Sequence, residues 1–395
     1  MKQARFLAAV AVGLFAAQSA SFMLAPLLVA IATEFDTSVA VTGQLATVTF
    51  AAWAVSVILV GPLSDSLGRR PVALAGLTLL SAGVLASAFS PNLETLMALR
   101  VLTGLGGGMI PPNSMAAVAD SVSPAKRAQV VGALMAFSTL SSVIGVPLVA
   151  LSADSGGWRV PFVAIGSLLA ACALLNLLWF PKSAGAGLRS FSFISRYRNL
   201  LAMPVFRSAL AVNLTQRMAY FALFSYLAAY LIDAYDMNVG AVALPLGFVG
   251  MGTVIGSYAG GIVANRKDRM PLAAVATLIG GAGTLLLFST DAPLWATFAI
   301  ATAAISLLSI GWPVVITLST EVSGQSRATG IGILGVSNQS GGVGGAALGG
   351  ILLASIGFPG VGYLCLGAAV FSTLIIVLFM RQADAGAKLL VDEPV

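Results

Sequence analysis

The chain has 395 residues, of which 58% are hydrophobic and only 9% are charged, and its formal net charge is +6. Soluble domains carry about 25% charged residues, so most of this surface is expected to face lipid and not water. Histidine, the commonest metal ligand, is absent, and no pair of residues suggests a catalytic nucleophile with its base. The sequence therefore predicts neither an enzyme nor a bound metal or other cofactor.

Twelve apolar runs follow one another along the chain, each bounded by charged residues or by proline and glycine turns. A helix crosses a bilayer with about 20 apolar residues, so these runs predict an all-α membrane protein with twelve transmembrane helices. They leave no room for a sizeable soluble domain. The predicted spans are residues 6–32, 41–62, 71–90, 94–118, 128–152, 160–180, 206–232, 240–264, 271–289, 294–318, 328–353 and 360–380.

The positions of lysine and arginine predict the orientation of these spans. Cytoplasmic loops carry an excess of both residues, and with the N-terminus inside, 17 of the 20 fall on the cytoplasmic side. The opposite topology would reverse this ratio. We therefore predict a multi-pass protein of a bacterial inner membrane with both termini in the cytoplasm. The pI of about 9.6 then reflects topology, and no nucleic-acid partner is expected.

The chain repeats itself at an offset of 200 residues. Arg69 and Pro71 correspond to Arg269 and Pro271, and Gly157 corresponds to Gly357. Two halves with the same topology predict two pseudo-symmetric six-helix bundles, related by an axis along the membrane normal. The predicted divisions are an N-terminal bundle at 1–180, a cytoplasmic linker at 181–205 and a C-terminal bundle at 206–395.

The loop after the second span carries the most specific motif in the chain. It reads Gly61-Pro-Leu63-Ser-Asp65-Ser-Leu-Gly68-Arg69-Arg70-Pro71. The glycines permit a tight turn, and Asp65 can accept charge-assisted hydrogen bonds from the arginines. This loop resembles the G-x-L-x-D-x-x-G-R-R/K motif of the major facilitator superfamily, and a merely topogenic basic loop is the alternative. The resemblance implies the twelve-span fold of that family and a cytoplasmic gate, in which Asp65, with Arg69 and Arg70, braces the start of the eleventh span near Arg327.

The second half repeats this loop in degraded form. Asn265 stands where Asp65 stands in the first half, and Asp268 stands where the second glycine stands. We therefore expect the two loops to make different side-chain contacts.

Two further motifs lie in the fourth and fifth spans. Arg100, followed by a glycine run, resembles the R-x-x-x-G-x-G motif, whose arginine is associated with proton coupling in antiporters; an arginine that serves packing alone is the alternative. The Gly-Val-Pro-Leu run from Gly145, which includes Pro147, resembles the antiporter motif G-x-x-x-G-P-x-x-G-G, with Ser141 in place of the first glycine. This altered form is similar to the twelve-span drug and solute efflux branch that includes sugar and purine-ribonucleoside exporters.

The resemblance implies that the first, fourth, seventh and tenth spans line the substrate pathway. On the seventh, Asn213, Arg217, Tyr220 and Phe224 share one helical face. Arg217 lies about halfway along its span, where a charged residue is functional by default. Substrate or counter-anion binding and a structural hydrogen-bond hub are both open. The other candidate substrate-binding residues are Gln18, Ser21 and Phe22 on the first span, Trp312 on the tenth, and Asn338 and Gln339 on the eleventh.

Acidic residues are absent from the middle of every predicted span. If protons are coupled, their carrier must be an acid near a helix end, and Glu34 and Asp120 are the first candidates. Otherwise the charge of the substrate carries the coupling, and Arg100 with Arg217 would favour anionic or zwitterionic solutes. The candidate gating and coupling residues are Asp65, Arg69, Arg70, Arg100, Asp120, Glu34, Gly145 and Pro147.

Three classes of function are open. The resemblance favours a secondary active transporter that exports a small organic solute or drug by alternating access, with proton antiport and a role in multidrug resistance. An uptake carrier or exchanger for an anionic metabolite is the first alternative, and a lipid flippase or a non-transporting membrane receptor is the second. The expected partners are a small-molecule substrate, membrane lipids and protons, and the protein is expected to be a monomer.

Overall fold

The computed structural model describes residues 2–181, 193–324 and 327–380, and within these ranges the chain is helical with no β-strand. Twelve helical segments are long and apolar enough to cross a membrane. They are Gln3–Glu34, Val39–Leu67, Arg69–Ser87, Leu93–Ser121, Gln129–Gly156, Arg159–Trp179, Pro204–Tyr235, Ala243–Ala264, Arg269–Ser289, Leu294–Val322, Thr329–Ile356 and Phe358–Met380. The predicted all-α fold with twelve transmembrane helices is therefore confirmed, and each predicted span overlaps one observed span.

The first span is an interrupted helix. It consists of Lys2–Phe22, a 3-10 turn at Ala25–Leu27 and a short helix at Leu28–Glu34. The interruption coincides with Pro26, which has no backbone N–H to donate and whose ring clashes with the preceding turn.

The fifth span is interrupted by a π-helical turn. It consists of Pro124–Leu140, the π turn Ser141–Gly145 and Val146–Gly156. A second π turn, Ile376–Met380, follows the helix Phe358–Ile375 of the last span. Turns of this kind are frequent at functional sites, and the one in the fifth span coincides with the antiporter-like motif.

Local chemistry explains where two of the spans begin and where one of them ends. Ser38 accepts a hydrogen bond from the backbone N of Val41 at 3.3 Å, and the Asn92 side chain accepts one from Thr95 N at 2.8 Å. Both are N-caps that satisfy a donor of the first turn. Gly68 ends the second span with a φ of 95°, which a residue without a Cβ adopts at little cost.

The sequence repeat recurs in the backbone. Asp36 and Asp236 are the two non-glycine residues of the described chain with positive φ, at 47° and 50°. Gly157 and Gly357 have φ values of 80° and 74°. Aspartate visits the left-handed region more readily than most residues. Corresponding loops of the two halves therefore bend in the same way.

Contacts divide the chain into two compact units that do not follow the order of the spans. One consists of Met1–Phe191 with Leu227–Gly250, and the other of Ser192–Tyr226 with Met251–Val395. The boundaries predicted from the sequence stay a prediction, and residues 182–192 of the predicted linker lie outside the described residues.

In the first unit, the segment Leu227–Gly250 packs against the fifth span. A Cβ at Gly247 would lie 3.5 Å from Cγ of Pro147. Near the end of the fifth span, Asp154 accepts a hydrogen bond from the backbone N of Gly240 at 3.1 Å. The end of the seventh span and the start of the eighth are thus part of the unit built from the first six spans.

The second unit contains a short helix, Phe193–Ala202, in the predicted linker. Leu200 of this helix is buried against Phe206 and Ile333, and Tyr197 packs beside them. Burial raises the pKa of the Tyr197 hydroxyl group. The helix therefore packs against the starts of both the seventh and the eleventh spans.

Candidate functional site

Arg217 lies on the seventh span and is 6% exposed. Its Nη2 donates a hydrogen bond to the carbonyl oxygen of Leu308 at 3.0 Å, and its guanidinium carbon lies 4.7 Å from the ring centre of Tyr220 and 5.7 Å from that of Trp312. Nε is buried without a hydrogen-bond partner, and no carboxylate of the described residues is within ion-pair distance. An arginine at the centre of a span costs about 2.5–3.5 kcal/mol on insertion scales. Two aromatic faces and one carbonyl offset only part of that cost.

Asn213, one turn earlier on the same predicted face, contacts the eleventh span. Its Nδ2 donates to the carbonyl oxygen of Leu334 at 3.3 Å and to Ser337 Oγ at 3.2 Å, while Oδ1 is buried without a partner. On the same span, Asn338 is half-buried and donates to Gln339 Oε1 at 2.9 Å. Asn213 thus joins the seventh span to the eleventh, on which Asn338 is half-buried and Gln339 is buried.

Tyr220 contacts the eighth span. Its hydroxyl oxygen lies 3.3 Å from Oγ1 of Thr253, and its ring stacks on Phe224 with 6.1 Å between ring centres. Both aromatic side chains are buried. The structure thus brings together four of the predicted site residues, Arg217, Tyr220, Phe224 and Trp312.

Gln216 was not expected from the sequence. It is 1% exposed, and neither its amide oxygen nor its amide nitrogen has a hydrogen-bond partner among the described residues. A Cβ at Gly311 would lie 2.6 Å from Cδ of Gln216, so the amide packs directly on the tenth span. Gly311 lies between Leu308 and Trp312, the two residues of that span that contact Arg217. The amide and the guanidinium group therefore rest on one face of the tenth span. Gln216 lies outside the predicted face of the seventh span, so its polarity within an apolar run was the only signal.

The predicted site residues of the first span belong to the first unit. Gln18 is half-buried, and Ser21 and Phe22 are buried. Beside them, Ser19 faces the π turn of the fifth span, because a Cβ at Gly145 would lie 2.5 Å from its Oγ. Gly145 therefore permits a close approach of the fifth span to the first.

Arg69 is the centre of the predicted gate. It forms ion pairs with Asp65 at 2.6 Å and with Asp120 at 3.3 Å, and its Nη1 donates to Ser64 Oγ at 2.8 Å. Ser64 donates to Oδ1 of Asn113 at 2.5 Å, and Nδ2 of Asn113 donates back to the carbonyl oxygen of Arg69 at 2.8 Å. The loop is thus tied to the C-terminal part of the fourth span by a closed network.

Arg70, the second arginine of the motif, contacts the sixth span. Its Nη2 donates to the carbonyl oxygen of Leu177 at 2.5 Å. The expected contact of Asp65 with the start of the eleventh span stays a prediction, since the side chain of Arg327 lies outside the described residues.

The corresponding loop of the second half uses another carboxylate. Arg269 forms a bidentate pair with Glu321, at 2.9 and 2.6 Å, whereas Asn265 donates to a backbone carbonyl of its own helix. Asp268 accepts hydrogen bonds from Arg266 at 2.9 and 3.2 Å, and these bonds lower the pKa of its carboxyl group. The two loops differ as the degraded motif led us to expect.

Arg100 is fully buried in the fourth span. Its Nη2 donates to Ser87 Oγ at 2.7 Å, and its guanidinium carbon lies 5.0 Å from the ring centre of Phe162. Nε and Nη1 have no hydrogen-bond partner in the described part of the chain. Arg100 is thus a second buried cation that has no carboxylate partner among the described residues.

Both acids singled out as proton carriers are in ion pairs. Glu34 is paired with Arg159 and accepts a hydrogen bond from Trp158 Nε1 at 2.6 Å. Asp120 shares Arg69 with Asp65. A proton arriving at either carboxylate would therefore break an ion pair.

Known proteins resemble this chain over nearly its whole length. The inner membrane transport protein YdhP of Escherichia coli O157:H7 is 27% identical over 381 residues, which is 95% of either chain. A "Probable sugar efflux transporter" of Mannheimia succiniciproducens is 27% identical over 382 residues, 93% of this chain and 90% of the relative. The crystal structure of a bacterial homolog to the human lysosomal transporter Spinster, inward-facing and unoccupied, shares the fold, with a TM-score of 0.76, 19% identity and coverage of 98% and 96%. The family model of the Major Facilitator Superfamily matches residues 10–343, and the chain therefore belongs to that superfamily.

Proposed function

We propose that this protein is a secondary active transporter that exports a small organic solute across a bacterial inner membrane by alternating access. The observation that carries the proposal is the cluster of the buried Gln216, Arg217 and Tyr220 with the half-buried Trp312, within the spans of a major facilitator chain. Ionisable groups inside a membrane are expensive and mark substrate pathways. Aromatic faces with a few polar groups are also the usual lining of small-molecule sites.

Export is supported by two features. The Mannheimia succiniciproducens relative is named for efflux, and the Gly-Val-Pro-Leu run from Gly145 resembles the efflux branch of the family. The excess of lysine and arginine on one side supports an orientation with both termini in the cytoplasm.

Proton antiport is the coupling that we propose. Protonation of Glu34 would release Arg159, and protonation of Asp120 would release one of the two carboxylates on Arg69. Proton binding at either site would thereby bias the opening of an ion pair at the end of a span. A two-state element of this kind is what coupling between sites requires.

The proposal is tested with purified protein and with everted membrane vesicles. Benzoate, ethidium and isopropyl thiogalactoside serve as anionic, cationic and neutral probes in a thermal-shift screen, and every probe that binds is then followed in vesicles. We expect energised vesicles that contain the protein to accumulate a probe, and a protonophore to abolish this accumulation. Loss of probe from the vesicles would contradict export, and accumulation that survives the protonophore would contradict proton antiport.

The proton carrier is tested under an imposed pH gradient. We expect Glu34→Gln or Asp120→Asn to reduce gradient-driven flux at least tenfold, because the amide can neither take up a proton nor release its arginine by doing so. Asp291→Asn is the control, since this acid lies between the ninth and tenth spans and outside both ion pairs. Full flux in both variants would mean that protons do not pass through these acids.

An uptake carrier or exchanger for an anionic metabolite is the second candidate. It is favoured by Arg217, which has no carboxylate partner among the described residues. Counterflow in proteoliposomes separates the two candidates. An exchanger accumulates labelled probe against unlabelled probe without a pH gradient, whereas an obligatory proton antiporter follows the gradient.

A further inference from the structure

We propose that Gln216 and Arg217 together bind the carboxylate of an organic monocarboxylate, which is the substrate class of this transporter. The inference rests on the proposed transport function and deepens it. It starts from these two buried side chains, which rest on the same face of the tenth span and each have a polar atom without a hydrogen-bond partner among the described residues.

The first step concerns charge. The carboxylates described in the second unit lie at the ends of spans or in loops, where Asp268 is paired with Arg266 and Glu321 with Arg269. Asp291 lies in the loop between the ninth and tenth spans. Arg217, in the middle of its span, therefore receives no compensating charge from any of them. A ligand with a single negative charge would neutralise it.

The second step concerns hydrogen-bond donors. Nε of Arg217 and Nε2 of Gln216 are both buried, and neither has a hydrogen-bond partner in the described ranges. A guanidinium group presents its N–H donors in a rigid plane that matches a carboxylate, and a carboxylate offers two oxygens with about four acceptor sites. One ligand group can therefore satisfy donors of both side chains.

The third step concerns the body of the ligand. Tyr220, Phe224 and Trp312 supply aromatic surface beside the two polar groups, and the first two are 3% exposed. Aromatic surfaces of this kind favour apolar, planar partners. We therefore infer a carboxylate attached to a mainly apolar body, and a sugar or a lipophilic cation is disfavoured.

A purely structural role explains these residues less well. A structural arginine binds several carbonyl oxygens, whereas Arg217 binds one, at Leu308. A structural glutamine would satisfy its amide, whereas both polar atoms of Gln216 are unpartnered. A buried polar group without a partner destabilises a protein, and function is the usual reason for retaining such a group.

The experiment compares acids with their amides. Purified protein is titrated with benzoate, phenylacetate and 3-phenylpropanoate, and with the corresponding primary amides, which have the same shape and no charge. Binding is measured by thermal shift and by calorimetry. We expect saturable binding of the acids and at least tenfold weaker binding of the amides.

Three variants assign the binding to the two residues. Arg217→Lys keeps the charge but loses the planar group, so acids should bind about tenfold more weakly. Arg217→Gln should abolish the preference for acids over amides. Gln216→Met should weaken acid binding at least tenfold while the melting temperature without ligand rises or stays the same, because an unsatisfied amide is removed. Arg217→Lys and Gln216→Met carry the test if Arg217→Gln fails to fold.

Arg100→Gln is the matched control, because it removes the other buried arginine, in the first unit. It should keep the preference for acids within about twofold of the wild type. Equal binding of acids and amides, no binding of any acid, or unchanged acid binding in Arg217→Lys and Gln216→Met would overturn the inference. Ethidium flux in everted vesicles separates this failure from failure of the proposed function. Gradient-driven ethidium export without acid binding leaves the transporter proposal intact, whereas acid binding without gradient-driven flux of any probe refutes it.

Discussion

Arg100 and Arg217 are the two buried charged residues of the described chain, one in each compact unit, and their surroundings differ. Arg100 meets a serine hydroxyl and one aromatic ring, in packing made tight by glycines. Arg217 meets two aromatic rings and a carbonyl, next to Gln216, whose amide lacks partners. Burial of a charge therefore does not by itself identify a ligand site. The unpartnered amide of the neighbouring Gln216 is what distinguishes Arg217 from Arg100 among the described residues.

The packing around Arg100 also leaves little freedom to rearrange. A Cβ at Gly104 would lie 2.7 Å from Cβ of Ala52, and one at Gly108 would lie 2.6 Å from Cβ of Ser56. Close packing of small residues joins helices firmly in membranes. We therefore expect Arg100 to act through the position of its span, and Arg217 to act through what it binds.

The largest effect is expected from a change that displaces Arg217 without replacing it. In Gly341→Val, the new Cβ would lie 2.5 Å from Cβ of Arg217 and 2.6 Å from the carbonyl oxygen of Leu214. Acid binding should fall at least 100-fold, measured by calorimetry, and the yield of folded protein should also fall. Gly261→Val is the control, since nothing lies within 4 Å of a Cβ there. Wild-type affinity in Gly341→Val would mean that Arg217 need not occupy its present place.

Arg100→Gln should impair transport but not acid binding, whereas the variants of Arg217 are expected to lose acid binding. Gradient-driven transport in proteoliposomes should fall at least tenfold, because the family motif associates this arginine with coupling, while acid binding to purified protein persists. Parallel loss of binding and transport would instead place both arginines in one binding function, and the contrast between them would be lost.

Arg69 offers a third case, an arginine satisfied by carboxylates. In Asp65→Asn we expect an about tenfold loss of transport with normal membrane insertion, since the gate depends on the charge of the closer partner, at 2.6 Å. Asp120→Asn should weaken the binding of Arg69 to its carboxylates less, because it removes only the more distant partner, at 3.3 Å. Transport rates at matched expression measure the effect of Asp65→Asn, and normal turnover would refute its gate role.

The smallest effect is expected from Ser87→Ala, which removes the hydroxyl that accepts from Arg100. Hydrogen bonds to charged groups contribute about 1.5–3 kcal/mol and neutral ones about 0.5–1.5 kcal/mol. The melting temperature of purified protein should therefore drop by several degrees. Ser81→Ala, which removes a neutral bond to the carbonyl oxygen of Gly166, should lower it less. An equal drop would show that Arg100 draws no special support from Ser87.

The spans were predictable from the sequence, whereas breaks within them were only partly so. Apolar runs between charges locate helices directly, because lipid excludes charge from the interior of a span. The break in the first span coincides with Pro26, which is a visible signal. The π turn Ser141–Gly145 lies just before Pro147, but a proline marks a break in a helix without showing that the break is a π turn.

The candidate site was predictable where charge identified it. Arg217 was conspicuous as a charge in an apolar run, and helical periodicity connected it to Tyr220. Periodicity could not find Gln216, which faces the tenth span from outside the predicted stripe. The bond between Ser64 and Asn113, 49 residues apart, likewise depends on how the second and fourth spans pack.

The first compact unit is built from two separate stretches of chain, and this has a consequence for biosynthesis. This unit needs Leu227–Gly250, yet the ribosome makes Ser192–Tyr226, which belongs to the other unit, before that segment. At about 5–20 residues per second, the first unit remains incomplete for several seconds after its sixth span has been made. A chain severed just before Ser192 would leave the N-terminal fragment without Leu227–Gly250, whereas the C-terminal fragment would contain the whole of the second unit. The N-terminal fragment is therefore expected to become resistant to proteolysis only when the C-terminal fragment is present in the same membrane.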